Sequence, residues 1–226
     1  MNIILNIYGE YSKIIICIKD QRDLIYDYEH LELNTTNIII ELIALLPLVT
    51  VLLLVSNILI FILTHTITYY EWYRFGSVPF YLLNDGKMFI ITSFTSMFIH
   101  ANVVHIAFNM LALVALGRVI EELVGSSRYV LIYMLSGLAG VFTHTGYSLI
   151  TGNGVNTPLV GASGAVSGII GLAAVLGDRY AYVWLGAQFI FIIAGLSSIA
   201  YFAHIGGFAL GFIAGRLIYS KQGIKP

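Results

Sequence analysis

The sequence predicts an all-α polytopic membrane protein: a bundle of six transmembrane helices behind a small N-terminal cytosolic, β-containing segment. Three observations carry that class. Only 10% of the 226 residues are charged while 58% are hydrophobic, and the mean hydropathy is +0.88. A soluble domain carries about 25% charged residues, so this chain has too few to build a water-facing surface. Its apolar residues also fall in repeated runs near the roughly 20 residues that a helix needs to cross a bilayer.

The elements follow in order. Residues 1–36 contain "MNIILNIY" and "KIIICIKD" separated by "GEYS", two apolar β-branched runs on either side of a turn, as in a hairpin. Charges at Glu10, Lys13, Lys19, Asp20, Arg22, Asp23, Asp27, Glu29 and Glu32 break this stretch, so it does not read as a signal peptide. Residues 37–226 form the expected membrane domain. Its first span covers about 38–64, with Glu41 near the start and Pro47 covered by neighbouring helices. Residues 65–97 mix aromatic and polar side chains, too broken for a span and rich enough in Trp and Tyr to lie in the interface. Further spans are expected at about 98–120, 128–149, 162–177, 181–200 and 202–219. Several are short or glycine-interrupted, which points to close backbone packing.

Lysine and arginine orient the bundle. With the N-terminus inside, Lys13, Lys19, Arg22, Arg118, Arg128, Arg179, Arg216, Lys221 and Lys225 fall inside; Arg74 and Lys87 remain outside. Both termini are therefore expected in the cytoplasm, the cell membrane being the expected location. The net charge of −1 argues against nucleic-acid binding. The single cysteine, Cys17, excludes an intramolecular disulfide and a cysteine metal cluster. No pattern suggests a cofactor or a metal.

Polar groups inside spans are costly and mark function by default. In this topology spans two, four and six run from outside to inside, and their opening turns hold His100, His105 and Asn109; Ser163; and His204. A nucleophile, a base and hydrogen-bond donors thus share one depth. His105 and Asn109 are four apart and share a helix face. Gly207, Gly211 and Gly215 form a small-residue stripe below His204, and Gly164, Gly168 and Gly171 lie beside the Ser163 face. If the stripes meet, Ser163 and His204 reach hydrogen-bonding distance, as a nucleophile and its base require. Beyond residue 100 the acids are Glu121, Glu122 and Asp178, all near the inner face, so a Ser–His dyad is expected rather than a triad. The oxyanion hole would combine the Ser163 N–H with His105 and Asn109. Each feature alone has a plainer reading: Gly-x-Ser-Gly usually marks helix packing, and a lone histidine at a span's end is usually interfacial. His65 and His144 read as structural, and Glu121 as capping or bracketing a loop.

"HANVVHIAFN" (His100–Asn109), "GRVIE" (Gly117–Glu121), "GASG" (Gly161–Gly164) and "AHIGGFALG" (Ala203–Gly211), in this order over roughly residues 90–215, resemble the rhomboid intramembrane serine proteases. The resemblance implies a six-helix bundle with a water-filled cavity open to the outside. It further implies Ser163 as nucleophile, His204 as base, His105 and Asn109 on the oxyanion, and His100 as a structural residue. Gly161 matches the glycine before the nucleophile, and Gly207 and Gly211 those that admit the serine helix. Two places depart from the family pattern. Ile91-Thr92 stands where Trp-Arg is common in the first loop, and Ser167 where an aromatic ring commonly stacks on the histidine; either His204 is less firmly oriented here or another ring, such as Tyr201 or Phe202, takes that part. The expected function is cleavage of transmembrane protein substrates near the outer side of the lipid bilayer. Its rivals are an inactive relative that binds transmembrane clients and, from another class, a transporter, for which no acid lies mid-span in the last three helices.

Overall fold

The computed structural model describes residues 46–64, 74–194 and 200–221. The expected segment 1–36 and the start of the first span lie outside the described residues, as do 65–73, 195–199 and 222–226. What is described is helical, with no strand among the described residues and an antiparallel bridge between Ser77 and Leu159. The helices are α1 (Leu48–Thr64), α2 (Tyr81–Asn84), α3 (Gly86–Thr95), α4 (Val103–Val124), α5 (Ser126–Thr151), α6 (Ser163–Val175), α7 (Arg179–Ile193) and α8 (Tyr201–Lys221). A 3₁₀ turn, Ser96–Phe98, follows α3.

Length and composition make Val103–Val124, Ser126–Thr151 and Tyr201–Ser220 long and apolar enough to cross a membrane; Leu48–Thr64 and Ser163–Val175 are shorter apolar helices. The outer surface supports that reading. Leu63, Ile150 and Ile193 are 75%, 87% and 85% exposed, and an apolar exterior of this kind is stable in lipid rather than water. The chain is an integral membrane protein.

Two helix starts differ from expectation, each for a local reason. α4 begins at Val103 because Asn102 is the N-cap, its side chain accepting from His105 N at 2.8 Å. His100 therefore lies in the loop before α4, not in its opening turn. α7 begins at Arg179 because the Asp178 carboxylate accepts from Tyr180 N at 2.9 Å. The described part of the stretch expected as an interfacial loop contains regular structure, α2 and α3; Asp85 caps α3 by accepting from Met88 N.

α6 is the centre of the bundle: every residue from Gly164 to Val175 is buried. Its main neighbours are α8 and α5. The glycine stripes of α6 and α8 do meet. A Cβ on Gly207 would overlap the Gly164 carbonyl, and one on Gly211 the Gly168 carbonyl. The backbones thus touch with nothing between them, as small-residue seams allow. At the other end of the bundle, Glu121 is 2% exposed and ties α4 to α1. Its carboxylate accepts from Val49 N (3.1 Å), Thr50 N (2.7 Å), Thr50 Oγ1 (2.8 Å) and Ser126 Oγ (2.6 Å). Those backbone donors are first-turn N–H groups of α1 that lack intrahelical partners.

Candidate active site

Ser163 is the first residue of α6, and Ala162 before it is the N-cap with no side-chain hydrogen bond to give. The first-turn N–H groups of α6 therefore receive no capping oxygen from position 162 and carry the positive end of the helix dipole. Gly161 turns the chain into the helix at φ 121°, a conformation that L side chains rarely adopt. Its N–H donates to the Ser96 carbonyl at 2.8 Å, while Ser77 and Leu159 exchange backbone bonds of 2.9 and 2.8 Å. The segment ahead of the serine is thus pinned to the first loop.

His204 projects from the first turn of α8 to Ser163, with His204 Nε2 2.8 Å from Ser163 Oγ. This is the spacing of a hydrogen bond between a nucleophile and its base. The other ring nitrogen, Nδ1, lies 2.8 Å from Gln188 Oε1. The Trp184 ring, one turn before Gln188 on α7, stands 5.7 Å from the His204 ring at a tilt of 43°. Trp184 in turn stacks on Phe208, and Phe208 on Phe212. Phe202, one of the two rings expected near the histidine, is instead stacked on Tyr147 at 3.9 Å. The hydroxyl of Ser167 donates back to the Ser163 carbonyl within α6.

The remaining residues gather on the same side to different degrees. A Cβ on Gly161 would lie 2.6 Å from both His105 Cε1 and Nε2 and 3.7 Å from Ser163 Oγ, which places the His105 ring beside the serine. His100 is buried. Its Nε2 accepts from Ala162 N at 3.4 Å, and its ring meets His105 edge-on at 5.1 Å. It therefore links the first loop to the start of the serine helix. Asn109 is buried as well, but one Nδ2 hydrogen goes to the His105 carbonyl at 2.9 Å, leaving the second. A small cleft borders the serine, walled by Met97, Val141, Leu159, Gly161, Ser163 and Ala203. No group of three or more His, Cys, Asp or Glu able to hold a metal occurs among the described residues.

Gln188 and Trp184 did not emerge from the sequence, where the lack of a carboxylate near the outer face led to the expectation of a Ser–His dyad with no third partner. The signal was present, since Gln188 stands in "LGAQFIFII" as a lone amide in an apolar run. Polar side chains inside spans are candidates by default.

A helical integral membrane protein with a serine and a histidine hydrogen-bonded across two packed helices defines a narrow class. The Rhomboid domain family profile matches residues 88–221, and the chain belongs to the rhomboid family. It is 32% identical over 150 residues to Rhomboid protease GluP of Bacillus subtilis, covering 62% of this chain and 28% of that protein. It is 38% identical over 133 residues to RHOMBOID-like protein 1 of Arabidopsis thaliana, covering 54% and 33%. Rhomboid-type serine protease 2 of Emericella nidulans matches at 33% over 134 residues, covering 54% and 25%. The chain spans about a quarter to a third of the length of these relatives.

Proposed function

We propose that the protein is an intramembrane serine endopeptidase that cleaves transmembrane protein substrates near the outer face of the membrane. The observation that carries this reading is the 2.8 Å contact between Ser163 Oγ and His204 Nε2, at the open start of a buried helix. His204 Nε2 takes the proton from Ser163 Oγ as the oxygen attacks the scissile carbonyl carbon. The carbonyl electron pair moves to oxygen, where the Ser163 N–H, the His105 ring and the free Nδ2 hydrogen of Asn109 are the donors. When the tetrahedral centre collapses, Nε2–H protonates the leaving amine and the acyl group stays on Ser163. Water, deprotonated by the same Nε2, then releases the acid and restores the serine.

Helix length supports the depth of the site. The 13 residues of α6 rise about 20 Å, against roughly 30 Å for the hydrocarbon core. A helix of that length whose far end reaches the inner interface starts well below the outer surface of the hydrocarbon core. The proposed topology is six spans in residues 37–226, with both termini cytoplasmic and residues 1–36 as a separate cytosolic segment. It rests on the apolar runs and on the lysine and arginine bias. A helical substrate must unwind locally to offer its carbonyl, so segments with helix-breaking residues are the expected targets.

The test is cleavage of a single-span reporter with a helix-destabilised segment, by purified protein in liposomes. The wild type is expected to cut, and Ser163→Ala and His204→Ala to leave the reporter whole. Equal behaviour of the three proteins overturns the protease reading. Retained binding of the uncut reporter would then favour an inactive client-binding relative.

A further inference from the structure

The histidine is held from both sides. Its Nε2 faces Ser163 on α6, and its Nδ1 lies 2.8 Å from the side-chain oxygen of Gln188 on α7. Gln188 is 5% exposed, so water does not compete for this contact. The orientation of the amide follows from its other bond, because Gln188 Nε2 donates to the Trp184 carbonyl at 3.1 Å. A backbone carbonyl only accepts, so the NH₂ end must face Trp184 and the oxygen must face His204. An amide oxygen also only accepts, so the histidine nitrogen opposite it must carry the proton. The neutral ring then has Nδ1–H toward Gln188 and a bare lone pair on Nε2 toward the Ser163 hydroxyl. That is the one neutral tautomer able to act as a base toward the serine.

We propose that Gln188 is a positioning residue for His204: its side-chain oxygen accepts the Nδ1–H, fixing the ring's orientation and tautomer from α7. This rests on the protease reading and deepens it. The device does for a histidine in a membrane what a buried carboxylate does in a water-soluble triad. It needs no second charge. An uncharged amide is far less costly to bury in an apolar bundle than a carboxylate. No proton passes to Gln188: Nδ1–H stays on the ring throughout, and only Nε2 gains and returns the serine proton. The Trp184 ring, on the same face of α7, limits how far the imidazole can tilt away.

Gln188→Met keeps the volume and removes the acceptor; Gln188→Glu keeps an acceptor oxygen at the same reach. Steady-state cleavage of the reporter by both variants and by the wild type, with Ser163→Ala as the blank, is one measurement. Nitrogen NMR of labelled histidine is the second. For Gln188→Met the expected result is a kcat about 10- to 100-fold lower, the range known for losing the hydrogen-bond partner behind a metal-bound histidine. Its KM is expected to stay within about twofold, because substrate binding is not the interaction removed. Gln188→Glu is expected to recover most of the loss. The NMR signal of Nδ1-protonated His204 is expected in the wild type and lost or mixed in Gln188→Met. An unchanged kcat in Gln188→Met, or a loss that follows KM or the melting temperature alone, overturns the role of Gln188 while the protease reading stands. A wild type no better than Ser163→Ala overturns both.

Discussion

At position 161 the backbone holds φ 121°, and an added Cβ would sit 2.6 Å from two atoms of the His105 ring. Gly161→Ala therefore strains the turn and displaces a proposed oxyanion donor together. The strain alone is expected to cost about 1–3 kcal/mol, read as a lower unfolding midpoint, with cleavage of the reporter lost. His105→Ala separates the two effects. It leaves the turn intact and is expected to lower kcat by about 10²–10³ with little change in KM, as removal of one oxyanion donor does. A single kinetic comparison of the two variants, each corrected for folded fraction, checks both. His100 differs in kind from His105. Its Nε2 accepts from the Ala162 N–H, so its substitution is expected to act through the position of the α6 start.

Among the elements, the α6–α8 pair decides whether nucleophile and base meet. Gly207 and Gly211 lie against the Gly164 and Gly168 carbonyls without intervening side chains, so anything larger forces two backbones apart. Gly211→Ala is expected to cost about 1–3 kcal/mol as overpacking and to lose activity by lengthening the Ser163–His204 contact two turns away. Gly186→Ala on α7 is the control. A Cβ there meets nothing within 4 Å, and the change is expected to be neutral or to stabilise by up to about 1 kcal/mol. Unfolding midpoints in detergent check the pair. At the opposite end, Glu121→Ala would leave the Thr50 N–H and hydroxyl without their acceptor. The expected loss is at least about 1–3 kcal/mol, with kcat per folded molecule largely kept because Glu121 lies a full helix away from Ser163.

For the whole molecule, the exposed apolar side chains fix the solvent, and the proposed orientation rests on the cationic residues. The proposed topology places the α5–α6 loop outside and the C-terminus inside. In a Cys17→Ser background, Asn153→Cys is expected to react with a membrane-impermeant maleimide on intact cells, and Gln222→Cys only after permeabilisation. The reverse pattern would place Ser163 toward the cytoplasm. The described helices are also stitched across long sequence separations. Ser77 bonds Leu159, Ser96 accepts from Gly161, and Glu121 reaches Thr50. The site therefore belongs to the assembled bundle and to no single segment of it.

Hydropathy and the spacing of glycines are local properties, so the residues alone were enough to read a helical membrane bundle. They also placed Ser163 and His204 at one end of helices suited to close packing. Periodicity does not report where a helix begins. The side chains of Asn102 and Asp178 set those starts, and with them the place of His100 outside α4. Which ring and which acceptor stand behind His204 depends on how α7 is rotated about its axis, and an apolar run says little about rotation when lipid and protein are both apolar. The tertiary structure alone decided that Trp184 and Gln188 face the histidine, that Phe202 turns to Tyr147, and that Asn109 shares its amide with its own helix.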